Sequence, residues 1–130
     1  MAARPTSPHL SVYRMYRHTL LTSVLNRATG LVLALGLMLL VYWLMALAAG
    51  PAAYARAAAL LGLGAFKIVW LALLAVFSYH LCAGVRHLVW DTGRGLERAQ
   101  SRASAYLVLI ASAVLFVALA AWLLGRGHAS

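Results

Sequence analysis

Polar side chains are scarce in and beside the long apolar runs of this chain, and those that could do chemistry are concentrated in two short clusters. The first is Ser23-Val24-Leu25-Asn26-Arg27-Ala28-Thr29-Gly30. Ser23 and Arg27 stand one helical turn apart and share a face, which Gly30 keeps open. A hydroxyl and a guanidinium so placed donate hydrogen bonds to a carbonyl or carboxylate arriving from lipid. The pair also fits a plainer role, with Arg27 reaching a headgroup phosphate and Ser23 acting as an ordinary cap. The second cluster is Tyr79-His80-Leu81-Cys82-Ala83-Gly84-Val85-Arg86-His87-Leu88-Val89-Trp90-Asp91. At about 100° per residue, His80, Gly84 and His87 lie along one helical stripe. A neutral imidazole inside a helical bundle is a good axial ligand for haem iron, and Gly84 leaves room for a flat macrocycle. Arg86 and His87, closer to water, suit the macrocycle's propionates. The plainer alternative is a histidine hydrogen-bonded to a serine or carbonyl, with Arg86-His87 as a surface pair.

His80 and His87 are separated by roughly 10.5 Å along a helix axis at 1.5 Å per residue. They cannot grip one iron from opposite sides, so a haem with two histidine ligands needs its second from another chain. His9, His18 and His128 fall outside the apolar runs. Catalysis by this chain alone is not expected. Its only two carboxylates, Asp91 and Glu97, sit in one short polar loop, and it has no phosphate-cradling glycine loop, zinc signature or nucleophile elbow. Cys82 is the single cysteine, which excludes an intrachain disulfide and a cysteine metal cluster.

The elements that must position these residues follow from composition. Of 130 residues, 65% are apolar, against about 45–50% in soluble domains. A soluble domain this small cannot hide so much apolar surface. One membrane domain, residues 1–130, is expected. Residues 28–55 carry no charge over 28 positions and residues 103–125 none over 23, each more than the roughly 20 that cross the hydrocarbon core. Residues 68–85 are uncharged for 18 positions between Lys67 and Arg86, and a span over 62–89 works if Lys67 snorkels to the interface. Isolated strands cannot satisfy their backbone groups in lipid, so the spans are helices. The expected architecture is all-α: a polar segment 1–22, then three transmembrane helices at about 23–49, 62–89 and 103–125. The first run is too long for a signal-peptide core of about 7–15 residues and is expected to be retained.

Three spans put residues 1–27 on the same side as the loop 86–102. That side holds 8 of the 11 basic residues, leaving Arg56, Lys67 and Arg126 for the other. The positive-inside rule then places the N-terminus in the cytoplasm. A net charge of +9 can suggest nucleic acid, but the charges gather at span ends and no basic groove with interleaved aromatics accompanies them. They suit lipid headgroups, and no nucleic-acid partner is expected.

These residues resemble a known family. Arg4-Pro5-Thr6-Ser7-Pro8-His9-Leu10-Ser11-Val12-Tyr13, then the Ser23 to Gly30 cluster, then His80 to Asp91 look like the three signatures of the cytochrome b subunits of succinate dehydrogenase, the larger membrane anchors of respiratory complex II. Their order, spacing and three-span frame all match, over essentially the whole chain. The resemblance implies a haem b shared with a smaller anchor subunit, His80 as axial iron ligand and the second histidine from that partner. It implies Ser23 and Arg27 as quinone-site residues, for ubiquinone or menaquinone, and Arg27 also near a propionate. The three helices would bundle with that smaller anchor, and further partners would be an iron–sulfur subunit, meeting the N-terminal segment and the 94–102 loop, and a flavoprotein subunit. One departure is Asn26, which stands where the family usually has a histidine near a propionate. Asparagine removes a cation there but still donates a hydrogen bond. Competing readings are the anchor of a quinol:fumarate reductase and a small structural membrane protein without cofactor. Met1 lies only a few residues before the first signature, so a bacterial inner membrane is expected rather than a mitochondrial one.

Overall fold

A computed structural model describes residues 17–126 as four helices: α1 (Arg17–Ala48), α2 (Pro51–Leu61), α3 (Gly64–Asp91) and α4 (Arg98–Arg126), with no strand among the described residues. Helices α1, α3 and α4 are the three long enough and apolar enough to cross a membrane. Both α1 and α4 begin several residues before the uncharged runs, because a helix that has satisfied its backbone in lipid continues through polar residues at the interface.

α1 stops at Gly50, whose φ of 102° is left-handed and carries no steric penalty for glycine. Pro51 then opens α2 at a position where its missing N–H costs nothing. This short helix fills the connection between the first two spans. The Gly50-Pro51 pair foretells the break but not the second helix. Aromatic side chains hold α2 in place. Trp43 of α1 meets Tyr54 of α2 edge-on, ring centroids 6.1 Å apart, and the Trp70 indole of α3 donates to the Leu61 carbonyl at 3.1 Å. That bond satisfies one of the orphan carbonyls at the end of α2. At the other end of the bundle, the α3–α4 loop turns on Gly93 and Gly95, both at positive φ, and the Trp90 indole donates to the Gly95 carbonyl at 3.1 Å.

α3 is the centre of the bundle, antiparallel to α1 on one side and to α4 on the other. Its contacts use small residues: Ser78 and Ala83 are buried on α3, and Ala105, Val108 and Ser112 on α4. Between α1 and α3, Leu73 lies over Gly36, where a Cβ would stand 2.7 Å from Leu73 Cδ2. Such small-residue contacts are how helices associate when lipid is as apolar as leucine and no hydrophobic force drives them together. The large apolar side chains point away; Leu31, Met38 and Met45 are 66–67% exposed in the single chain. A soluble helix bundle would bury them, whereas here lipid or a partner helix is their medium.

Candidate functional site

The antiparallel pairing of α1 and α3 brings the two polar clusters together. Thr22, Thr29 and Gly36 recur every seven residues on α1 and face Arg86, His80 and Leu73 of α3 in that order. The site is therefore a set of rungs along one helix–helix seam.

The middle rung holds His80. Its Nδ1 lies 3.1 Å from Thr29 Oγ1, and its ring rests against Gly30, where a Cβ would come within 3.2 Å of Cε1. Glycine at this position is what lets the imidazole lie so close to the α1 backbone. Among the described residues Nε2 has no partner. Gly84, one turn along α3, has open space where its Cβ would be, with nothing inside 4 Å. The chemistry fits a flat metal macrocycle: one half-buried imidazole, its second nitrogen unengaged, beside a helix face without a side chain.

The rung nearest the membrane surface is built differently. Arg86 is 6% exposed and its guanidinium joins three helices. Nε donates to Ser104 Oγ at 3.0 Å, Nη1 to Thr22 Oγ1 at 3.1 Å, and Nη2 to the Ser101 carbonyl at 2.9 Å and Ser101 Oγ at 3.3 Å. Its Cζ sits 4.0 Å from the centroid of the Trp90 ring, and Tyr79 Oη donates to the Thr22 carbonyl at 3.2 Å. A planar fork of five donors spreads to acceptors on separate helices, whereas a lysine has three donors on one compact ammonium. Sequence position suggests propionates for Arg86; the structure gives it Thr22, Ser101 and Ser104. His87 beside it makes a 2.7 Å hydrogen bond between Nδ1 and the Ala83 carbonyl of its own helix, with its ring 5.3 Å from that of Trp90.

Ser23, half-buried, and Arg27, exposed, lie on the flank of α1 about 100–180° round from the line of Thr22, Thr29 and Gly36. On a helical wheel Ser23, Arg27 and Gly30 fall within about 60° of one another. The same flank therefore carries the hydroxyl, the guanidinium and the glycine that touches His80. Asn26, next to Arg27, has its carboxamide oxygen buried and without a hydrogen-bond partner among the described residues. A buried polar atom without a partner is uncommon.

Behind α3, an apolar groove of about 410 Å³ runs along α4, lined by Cys82, Val85, Val89, Leu107 and Ala111 among others. Cys82 is thus one small residue in an apolar wall. Thr29 stands out only as a member of the Ser23 to Gly30 cluster; Thr22, Ser101 and Ser104 do not stand out in the sequence. The last two form a three-residue pair at the start of α4, a visible sign of a polar face but not of its partner. The 4–13 signature, His9 and His128 lie outside the described residues, as does the side chain of His18.

Three antiparallel apolar helices with their polar side chains gathered toward one end define an all-α integral membrane protein. Residues 2–119 match the family described as succinate dehydrogenase/fumarate reductase transmembrane subunit, and the chain belongs to that family. It is 39% identical over 114 residues to the succinate dehydrogenase cytochrome b556 subunit of Paracoccus denitrificans, covering 88% of this chain and 87% of that one. The subunit of the same name from Rickettsia felis is 36% identical over 112 residues, or 86% of each chain. The cytochrome b560 subunit of Reclinomonas americana is 38% identical over 127 residues, 93% of this chain and 85% of the relative.

Proposed function

We propose that this chain is the haem-bearing anchor of a succinate:quinone oxidoreductase, holding haem b jointly with a second, smaller anchor subunit and forming part of the quinone site. The observation that carries the reading is His80, with Nδ1 engaged inside the chain, Nε2 free among the described residues, and Gly84 open beside it. Family membership and the cytochrome b names of the relatives support it.

In this reading His80 Nε2 would hold the haem iron, and a histidine of the partner anchor would hold it as well, since no second histidine on α3 can reach. Bound haem b supplies a one-electron carrier within the membrane. Arg27 and His87 would pair with its propionates, while Arg86 is engaged in the three-helix junction. At the quinone, Ser23 donates a hydrogen bond to a carbonyl oxygen while Arg27 holds a positive field over the negative charge that develops there. Proton supply is assigned to a tyrosine or carboxylate of a partner, because Ser23 and Arg27 themselves are not acids near neutral pH. An iron–sulfur subunit and a flavoprotein subunit dock on the side of the N-terminal segment and the 94–102 loop, and the excess of basic residues there supports a cytoplasmic or matrix orientation for that side. The chain alone catalyses nothing. The relatives' names favour succinate oxidation over fumarate reduction.

The test is a reduced-minus-oxidised visible spectrum of the complex purified through this chain, beside its His80→Ala variant. A b-type band in the first and its loss or shift in the second is expected. An intact wild-type complex without that band would remove the haem from the reading.

A further inference from the structure

Neutral imidazole has one N–H, so its tautomer decides which nitrogen can bind a metal. At His80 the decision falls to Thr29. The Thr29 hydroxyl oxygen lies 2.8 Å from the Leu25 carbonyl and 3.0 Å from the Asn26 carbonyl, both on its own helix. Its single proton has acceptors there, which leaves the hydroxyl oxygen free to act as an acceptor toward His80 Nδ1 at 3.1 Å. An acceptor calls for a donor, so the ring proton sits on Nδ1 and Nε2 keeps its lone pair. The opposite arrangement, with the hydroxyl donating to Nδ1, would put the ring proton on Nε2 and leave that nitrogen nothing to offer a metal.

We propose that Thr29 is a positioning residue for the haem iron ligand: through its hydroxyl it fixes the Nδ1–H tautomer of His80, holds the ring plane against Gly30 and raises the basicity of Nε2. The proposal rests on the haem reading above and adds to it a role for a residue on a different helix. A ligating imidazole whose other N–H is held by an acceptor is a stronger donor, and loss of that outer partner typically costs about 10–100-fold in the metal's affinity or activity. A stronger donor favours ferric over ferrous iron. Thr29 therefore lowers the haem potential, and removing its hydroxyl raises it.

The experiment is a spectroelectrochemical titration of haem in the purified whole complex, together with the ferric EPR spectrum, for wild type, Thr29→Val, Thr29→Ser and His80→Ala. Valine keeps the volume and branching of threonine without the hydroxyl. It is expected to raise the midpoint by about 59 mV, a roughly tenfold loss of ferric preference for one electron, and to broaden the low-spin ferric EPR signal as the ring loses its fixed plane. Serine restores the acceptor and is expected to return both readouts to wild type. If valine hinders assembly, Thr29→Ala carries the same expectation. A hydroxyl-free variant with wild-type potential and EPR spectrum overturns the Thr29 proposal while leaving haem ligation by His80 intact. A His80→Ala complex that keeps the wild-type haem spectrum overturns the ligand assignment on which the proposal rests.

Discussion

Two polar regions on α3 lie less than two turns apart and are built on opposite plans. Around Arg86, three helices supply acceptors from Thr22, Ser101 and Ser104, and an aromatic face from Trp90, so the guanidinium is satisfied by its own chain. Around His80, one nitrogen is held by Thr29, the other has no partner among the described residues, and the neighbouring Gly84 leaves a gap. The first region is a closed junction and the second an open one. In a medium where an unsatisfied polar group is costly, a closed cluster holds helices together, and an open one marks where something from outside the chain is received. Arg27 and Arg86 show the same contrast: the one is exposed on the flank of α1, the other 6% exposed in the seam.

The largest effect that would sharpen this contrast is expected from the open side. Arg27→Ala should lower electron transfer from succinate to a short-chain ubiquinone about 100-fold, as loss of a transition-state charge stabiliser does. Reduction of a soluble dye by the flavoprotein should be unchanged, as should the complex's thermal stability. If dye and quinone activities fell together, Arg27 would belong with the closed junction.

The reverse pattern is expected of Arg86→Leu. At roughly 0.6 kcal/mol per intramembrane hydrogen bond, the junction loses about 2 kcal/mol, read as earlier thermal unfolding in detergent, while the haem spectrum stays in place. A spectral shift without loss of stability would show the junction to be open after all. The smallest effect is expected from Trp90→Phe, which keeps an aromatic ring beneath Arg86 but removes the 3.1 Å bond to the Gly95 carbonyl. A cost of about 1 kcal/mol should appear as faster amide exchange confined to residues 92–97.

What was legible in the sequence depended on which signals are local. The three spans were legible because uncharged length is a one-dimensional property. Ser23, Arg27, His80, Arg86 and His87 stood out as polar types against apolar neighbours. α2 did not, since an alanine-rich stretch after Gly50-Pro51 reads equally as a connection. The partners of Arg86 were hidden for a different reason. Ser101 and Ser104 lie 15 and 18 residues away and Thr22 lies 64 away, and only the antiparallel turn of three helices brings them together. Thr29 is the sharpest case. It sits inside a conspicuous motif, yet its role depends on His80, 51 residues distant.

The seven-residue spacing shared by α1 and α3 has a mechanical consequence. Leu73 seated over Gly36 and His80 held by Thr29 are two pins, equally spaced on both helices. One pin leaves two rods free to pivot; two fix both their phase and their offset. A slip of a single residue, about 1.5 Å of travel, would unseat the apolar pin and the polar one together. The site thus inherits its tolerance from a leucine two turns away that carries no chemistry of its own.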